Sequence, residues 1–403
     1  MKNIFIITWD HPFNAVDGPA QLISEGLRLN GCRVTIANMS TDEGRGVILR
    51  MLTEKVDLVI GMGPHSLFLY INGKLLHQAV DTKFAILFLD NPFYSRVQWS
   101  FLFNSGFPED SLLLCVDAKQ EKQLRAICDH LHGAKFITQF FPWGGHINLG
   151  KMLGHTEKLY DLVIFSTLDQ QISQSFCLND NYDGVISESV CEAAGISHSH
   201  LNEELQLLSK GYYSVDIVEF IGKEMHLEFP TISPNSEALI TEVDSFLKRY
   251  RRLAITQVML KTAIESNYKV AIFGTGWERL GDLPENIKVF GPVSYSNQFD
   301  IFKSSRTVIN TDPNWVAGVH DRVFNAFGSG CVAITNENYF TDLNFNDGVD
   351  CIIYQNSEVA SKKIVQAVEN YENIANNAYR LLVLNHTWKD RCSTLVSYLD
   401  YVI

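Results

Sequence analysis

The 403-residue sequence has no CxxC pair among its eight cysteines, no run of 18 consecutive apolar residues and no surplus of positive charge. Each absence removes a class. The cysteines, at 32, 115, 128, 177, 191, 331, 351 and 392, are too scattered for a zinc site or a disulfide framework and read as reduced, mostly buried thiols. Without a long apolar run no membrane span is expected, and the apolar part of the opening MKNIFIITWDHPF is too short for a signal peptide, so the cytosol is the expected location. With 33 Lys+Arg against 46 Asp+Glu the formal charge is −13, the wrong sign for neutralising phosphates on DNA or RNA. Nucleic acid is therefore not an expected partner. Ser-His-Asp, HExxH and Walker A patterns are also missing, which lowers hydrolase, zinc-protease and P-loop readings. The 11 Pro and 26 Gly, beside 46% hydrophobic and 20% charged residues, exclude disordered, collagenous and low-complexity chains. What is left is a globular protein.

A chain this long suits two domains of roughly 150 to 250 residues each. Up to residue 141 it alternates helical spacing with the runs NIFIITW (3–9), RVTIAN (33–38), DLVIGM (57–62), KFAILFLD (83–90), SLLLCVD (111–117) and KFITQFF (135–141). Such continuous apolar runs predict strands covered on both faces, as in a parallel sheet between helices. Leu22, Ile23, Gly26, Leu27 and Leu29 share one side of a helix over 19–30, and Gly31 can stop it. A second series runs through DLVIFSTL (161–168), KVAIFG (269–274), NIKVFGPV (286–293), TVINTDP (307–313), CVAITN (331–336) and CIIYQN (351–356). The sequence thus predicts an α/β protein of two Rossmann-like domains, 1–155 and 156–403, dividing within 145–160. The stretch 169–268 is far longer than a strand-to-helix connection needs and reads as a largely helical insertion in the second domain. Within it, KRYRR (248–252) reads as a solvated helix face, with contact to an anionic membrane surface or an acidic acceptor as the alternative.

The stretch GVHDRVFNAFGSGCVAIT (318–335) predicts a loop, a short helix and a buried strand. A helix start there offers N–H groups and a positive dipole end to a pyrophosphate, with His320 and Arg322 in its first turn. Arg322 is the better phosphate ligand of the two, because its guanidinium stays charged and presents a planar fork of donors. In FGTGWER (273–279), Gly274 and Gly276 at a strand end let backbone approach a ligand closely. Thr275, Trp277 and Arg279 complete this candidate donor loop, although Trp277 also reads as a packing residue.

Taken together, YDLVIFST (160–167), VAIFGTGW (270–277), VFGPVSYSNQFDIFKSSRTVINTDP (289–313), 318–335, FNDGVDCIIY (345–354) and HTWKDRCSTLVSYL (386–399) resemble the CgeB-like branch of group 1 glycosyltransferases. The resemblance covers most of the second domain outside the insertion, and the first domain only in general pattern. It implies a GT-B fold of two facing Rossmann-like domains, with a nucleotide-diphosphate sugar on the second, a glycan or protein acceptor on the first, and transfer in the cleft. Many relatives carry a carboxylate in the helix after the arginine, where it accepts from ribose or sugar hydroxyls. Here Asn325 stands in its place, an uncharged acceptor.

Breaking a sugar–phosphate bond leaves charge on a nucleoside diphosphate, which donors or a metal must stabilise. No convincing DxD pair is present, so Arg322, the backbone at 274–276 and the helix start are the expected stabilisers, with neither metal nor cofactor. An inverting transfer also needs a base on the acceptor side. The loop WDHPFNAVDGP (9–19) after the first strand offers Asp10, His11 and Asp17, since histidine changes charge near neutral pH and an aspartate can orient it or act directly. Asp17 also stands where helix caps stand. Asp90 and Asn91, in FLDNPF (88–93), are candidate acceptor contacts, while His65 and His146 read as loop histidines. A nucleotide-sugar epimerase and a non-catalytic nucleotide-sugar-binding module fit the same architecture.

Overall fold

In a computed structural model, the chain is described over residues 1–133, 135–147, 158–167, 187–211, 216–226, 229, 233–277, 283–310 and 315–402. It divides into two compact units, Met1–His146 with Asn385–Ile403, and Ile147–Leu384.

The first unit holds β1 (Asn3–Thr8), β2 (Arg33–Asn38), β3 (Leu58–Met62), the hairpin β4 (Tyr70–Ile71) and β5 (Lys74–Leu75), β6 (Lys83–Phe88), β7 (Leu112–Cys115) and β8 (Ile137–Phe140). Its helices are α1 (Asp17–Leu29), α2 (Asp42–Leu49), α3 (Leu76–Ala79), α4 (Arg96–Asn104) and α5 (Ala118–His132). Six strands form one parallel sheet in the order β2-β1-β3-β6-β7-β8. Ile4, Phe5, Ile6 and Ile7 are all buried, as a strand covered on both faces requires. Because β2 lies on one side of β1 and β3 on the other, the chain reverses direction there. Ligands of open α/β sheets bind at the strand ends beside such a reversal.

The second unit repeats the plan with β9 (Tyr160–Phe165), β10 (Val270–Phe273), β11 (Ile287–Phe290), β12 (Ser305–Ile309), β13 (Val332–Asn336) and β14 (Ile352–Tyr354). The order is β11-β10-β9-β12-β13-β14, again parallel, with Leu162 between Val270 and Thr307. Here the reversal falls between β9 and β12. Helices α6 (Glu188–Ala194), α7 (His198–Gly211), α8 (Ile217–Glu224) and α9 (Pro234–Ser266) make up the described part of the insertion. They are followed by α10 (Gln298–Lys303), α11 (Asp321–Gly328), α12 (Tyr339–Asn344), α13 (Ser357–Glu369) and α14 (Tyr371–Asn385).

The 33-residue α9 is about 50 Å long and serves two cores. Leu253, Ile255, Met259 and Ala263 join Ile272, Val332 and Ile364 in the sheet core, while the earlier half of the helix packs against α6, α7 and α8. Within the KRYRR run, Arg251 departs from a solvated face: it is 1% exposed, because it sits on the side of α9 that carries Leu247 and Ile255 inward.

The last helix, α15 (Trp388–Val402), belongs to the first unit, whereas the sequence assigned it to a second domain of 156–403. The reason is local packing on α1. A Cβ on Gly26 would lie 2.5 Å from the Trp388 carbonyl oxygen, so glycine is what lets the two helices approach this closely. Asn30 Nδ2 donates to Lys389 O at 2.8 Å and Lys2 Nζ to Leu399 O at 3.0 Å. At the start of α15, Arg391 Nε donates to Trp143 O at 3.1 Å and Nη2 to His386 Nδ1 at 2.6 Å.

Candidate functional site

Arg322 lies at the strand-end side of the reversal in the second unit. Its guanidinium carbon stands 5.7 Å from the centre of the Phe165 ring at the end of β9, and Nη1 donates to Asn310 Oδ1 just past β12, at 3.4 Å. One half-buried cation therefore links both strands that flank the reversal. Phe165 is the first of three rings in register across β9, β10 and β11, stacked on Phe273 at 5.3 Å, with Phe273 stacked on Phe290 at 4.9 Å. A cation over an aromatic face is held there by the ring quadrupole. Arg322 Nε is buried and has no partner among the described residues, which leaves donor capacity on the guanidinium.

α11 presents this arginine. His320 is its N-cap, and the Nδ1 atom lies 3.2 Å from the Arg322 amide nitrogen and also contacts Asp321 Oδ1. Trp315 stacks on the His320 ring at 5.6 Å and 16°, and Asn338 Nδ2 pins the Trp315 and Gly318 carbonyls at 3.1 and 2.9 Å. Asp321 is buried, and its Oδ2 accepts from the Tyr295 hydroxyl and from Asn325 Nδ2. Burial pushes this carboxyl up, but His320, the Tyr295 hydroxyl and Arg322 outweigh it and hold the group below the usual aspartate range. Tyr295 moves well above its ordinary value, first through burial and then through Asp321.

The glycine loop closes the other side of β9. Gly274 has φ +152, and a Cβ there would sit 1.8 Å from Ser166 O. Trp277 is 2% exposed and its Nε1–H donates to the same carbonyl at 2.6 Å, so its described contacts are with the core. Thr275 is exposed beside buried Gly276. Gly274, Ser166 and Arg322 thus lie together at the carboxyl ends of β10 and β9, with the Arg322 cation over the Phe165 ring.

Residues 251–397 match the family described as glycosyl transferase-like. The match takes in α11 with His320, Arg322 and Asn325, the glycine loop and most of the second sheet. No curated protein sequence matches the chain. Among solved structures, sucrose-phosphate synthase from Thermosynechococcus elongatus is similar with a TM-score of 0.53 at 8% identity, covering 100% of this chain and 99% of that one. Anabaena HepE, solved in complex with UDP-glucose, is similar with a TM-score of 0.54 at 10% identity over 100% of both chains. The fold is that of the GT-B glycosyltransferases, as the sequence resemblance implied.

Asn325, which the sequence resemblance set against a carboxylate, is 2% exposed, and its Nδ2 donates to Tyr295 Oη at 2.9 Å and to Asp321 Oδ2 at 3.3 Å. Its Oδ1 is buried and has no partner among the described residues. Arg279 lies outside the described residues.

In the first unit, the reversal lies between β1 and β3. Asn38 Nδ2 donates to Asp10 Oδ1 at 2.9 Å and to Asp17 Oδ2 at 3.3 Å, so one amide brings two of the three candidate bases together. Asp17 is in the first turn of α1, whose N-cap, Val16, makes no side-chain cap bond. His11 is exposed, with its ring 5.1 Å from Trp9, and Trp9 in turn lies 5.7 Å from His65 in the loop after β3. Phe13 and Asn14, the next loop residues, both hold positive φ, at 62° and 57°. Asp90 is exposed, whereas Asn91 Oδ1 accepts from the Phe93 amide at 3.1 Å as the cap of a short helix. His146 pairs with Glu25 at 3.4 Å. Sequence reasoning missed Tyr295, Asn310 and Asn38, none of which stands in a pattern of spacing that marks a site.

Among the described residues, no helix is long and apolar enough to cross a membrane, and no group of three His, Cys, Asp or Glu side chains is placed to hold a metal ion.

Proposed function

We propose that the chain is a glycosyltransferase of the CgeB-like type. It takes a hexose from a nucleotide-diphosphate sugar held at the reversal of the second unit. The acceptor is a hydroxyl of a glycan or protein held at the reversal of the first. The observation that carries this reading is Arg322, a half-buried cation with spare donor capacity, stacked at the strand ends beside a helix start within the glycosyl transferase-like segment. The glycosyl transferase-like match and the HepE complex with UDP-glucose support a nucleotide sugar as the donor class.

In the reaction the bond from the anomeric carbon to phosphate breaks, and its electron pair leaves on the diphosphate. Arg322, the α11 amides and the backbone at 274–276 supply the opposing charge, so no metal is required and chelator leaves the rate unchanged. The acceptor oxygen bonds to the anomeric carbon. If configuration inverts, its proton passes to a base in the loop after β1, where Asp10, Asp17 and His11 stand. Asp90, just past β6 at the carboxyl side of the same sheet, serves as an acceptor contact in this reading.

The test is a panel of nucleotide sugars, read by thermal shift and by release of free nucleoside diphosphate. One donor raises Tm and is turned over, slowly to water and faster with acceptor. Conversion to an epimeric sugar identifies an epimerase instead, and binding without any turnover identifies a binding module. No stabilisation by any nucleotide removes the reading altogether.

A further inference from the structure

Among the described residues, His320 Nδ1 has two neighbours that ask opposite things of it. Unprotonated, it accepts from the Arg322 amide at 3.2 Å and caps α11. Protonated, it donates to Asp321 Oδ1. One nitrogen cannot do both at once. The contact with Asp321 is the shorter, and Asp321 is a buried carboxylate held ionised by its surroundings.

The neighbours of the carboxylate fix its direction. Oδ2 is taken by the Tyr295 hydroxyl and Asn325 Nδ2, which leaves Oδ1 towards the imidazole. Trp315 lies flat against the ring and limits its tilt, and Arg322 is a further charged group beside the pair. A histidine that only capped a helix would need no buried acid against the capping nitrogen.

We propose that Asp321 is a positioning residue: through a Tyr295–Asp321–His320 relay it keeps the proton on His320 Nδ1 and so withdraws the imidazole from the helix cap, releasing the Arg322 amide N–H to a diphosphate oxygen. The second half rests on the donor reading given above, and the first does not. The ring changes tautomer only, with the proton moving between Nδ1 and Nε2. In the Nδ1–H form the α11 start offers an anion both the main-chain N–H and the side chain of residue 322. In the other form the histidine occupies that N–H itself. The cap is thus a competitor of the ligand, and Asp321 decides between them.

The experiment uses the full chain with 15N-labelled histidine, reading the His320 ring nitrogens by NMR with and without UDP as the probe. In the ligand-free protein Nδ1 carries the proton. In Asp321→Asn the carboxamide donates to the ring, Nδ1 loses its proton, and the UDP Kd rises about tenfold, the worth of one charge-assisted hydrogen bond. Asp321→Glu restores the Nδ1–H signature in part. In the unsubstituted protein UDP also shifts the Arg322 amide resonance downfield. An unprotonated Nδ1 in the ligand-free protein overturns the relay, even if Asp321→Asn fails to fold. So does an Asp321→Asn protein that keeps the ring signature. If UDP does not bind at all, the donor reading fails while the ring signature still decides the relay.

Discussion

Arg322 Nη1 reaches Asn310 Oδ1 at 3.4 Å while the same guanidinium covers the Phe165 ring, so the cation is oriented by one amide and one aromatic face from the two central strands. Arg322→Ala should weaken binding of the preferred nucleoside diphosphate by about 1.5–3 kcal/mol, or roughly 10- to 150-fold in Kd. Arg322→Lys should recover little of this, because an ammonium offers no planar fork and stacks poorly on Phe165. Calorimetric titration of both variants decides it, and unchanged affinity in Arg322→Ala removes the residue from the site.

Gly274 answers to geometry. With φ at +152 and the Ser166 oxygen 1.8 Å from any added Cβ, Gly274→Ala must push β9 and β10 apart at their ends. The expected loss is about 2–3 kcal/mol, together with donor binding, since the Trp277 bond to the same carbonyl is strained with it. Urea unfolding measures the stability, and a variant within 0.5 kcal/mol of the parent, as a rough threshold, would show that the loop yields freely.

Asn325→Asp introduces the charge that the sequence resemblance implied for this position, yet the new carboxylate faces Asp321 Oδ2 in a buried pocket. Two such carboxylates cannot both ionise cheaply, so the substitution should cost about 3 kcal/mol at pH 7.5. The introduced group has its folded-state pKa raised above the unfolded value. The penalty is therefore full above the folded pKa and fades as pH falls towards the unfolded one. Melting curves at pH 7.5 and pH 5 compare the two, and an equal penalty at both contradicts the charge pairing.

His386 gives the first unit an acid limit. Burial first, and then Arg391, hold its imidazole down to about 4 from an ordinary 6.5, with Nδ1 accepting from Arg391. Between those values the unfolded chain takes up a proton that the folded chain refuses, so stability is full above pH 6.5 and falls as pH drops towards 4. The loss approaches roughly 3 kcal/mol. His386→Gln, which keeps an acceptor for Arg391, should flatten this slope. Denaturation at pH 7 and pH 5 tests it, and a parallel slope in the variant rules the histidine out as the cause.

The strand runs and their parallel, doubly covered sheets were readable because buried parallel strands leave continuous apolar runs such as NIFIITW and DLVIFSTL. The start of α11, with Arg322 in its first turn, was readable because a loop, a short apolar-faced helix and a Gly-Ser-Gly stop leave a local pattern. The surroundings of Asp321 were not, since Tyr295 lies 26 residues from its partner and nothing local requires a hydroxyl there. Arg251 was hidden inside a charge run, where composition reports polarity and only packing reports burial. The seat of α15 escaped for a related reason: an amphipathic helix shows which face is covered but not by what. The one trace was Gly26, a small residue in the middle of the apolar face of α1, where a close neighbour must pass.

That passage sets an order on biosynthesis. The strands of the first unit leave the ribosome early, but the helix that covers Gly26 is translated only after every residue of the second unit. Until then α1 shows bare apolar surface to the cell. A nascent chain stalled anywhere between His146 and Asn385 is a candidate for chaperones, and a lesion in α15 would be felt at the far end of the sequence.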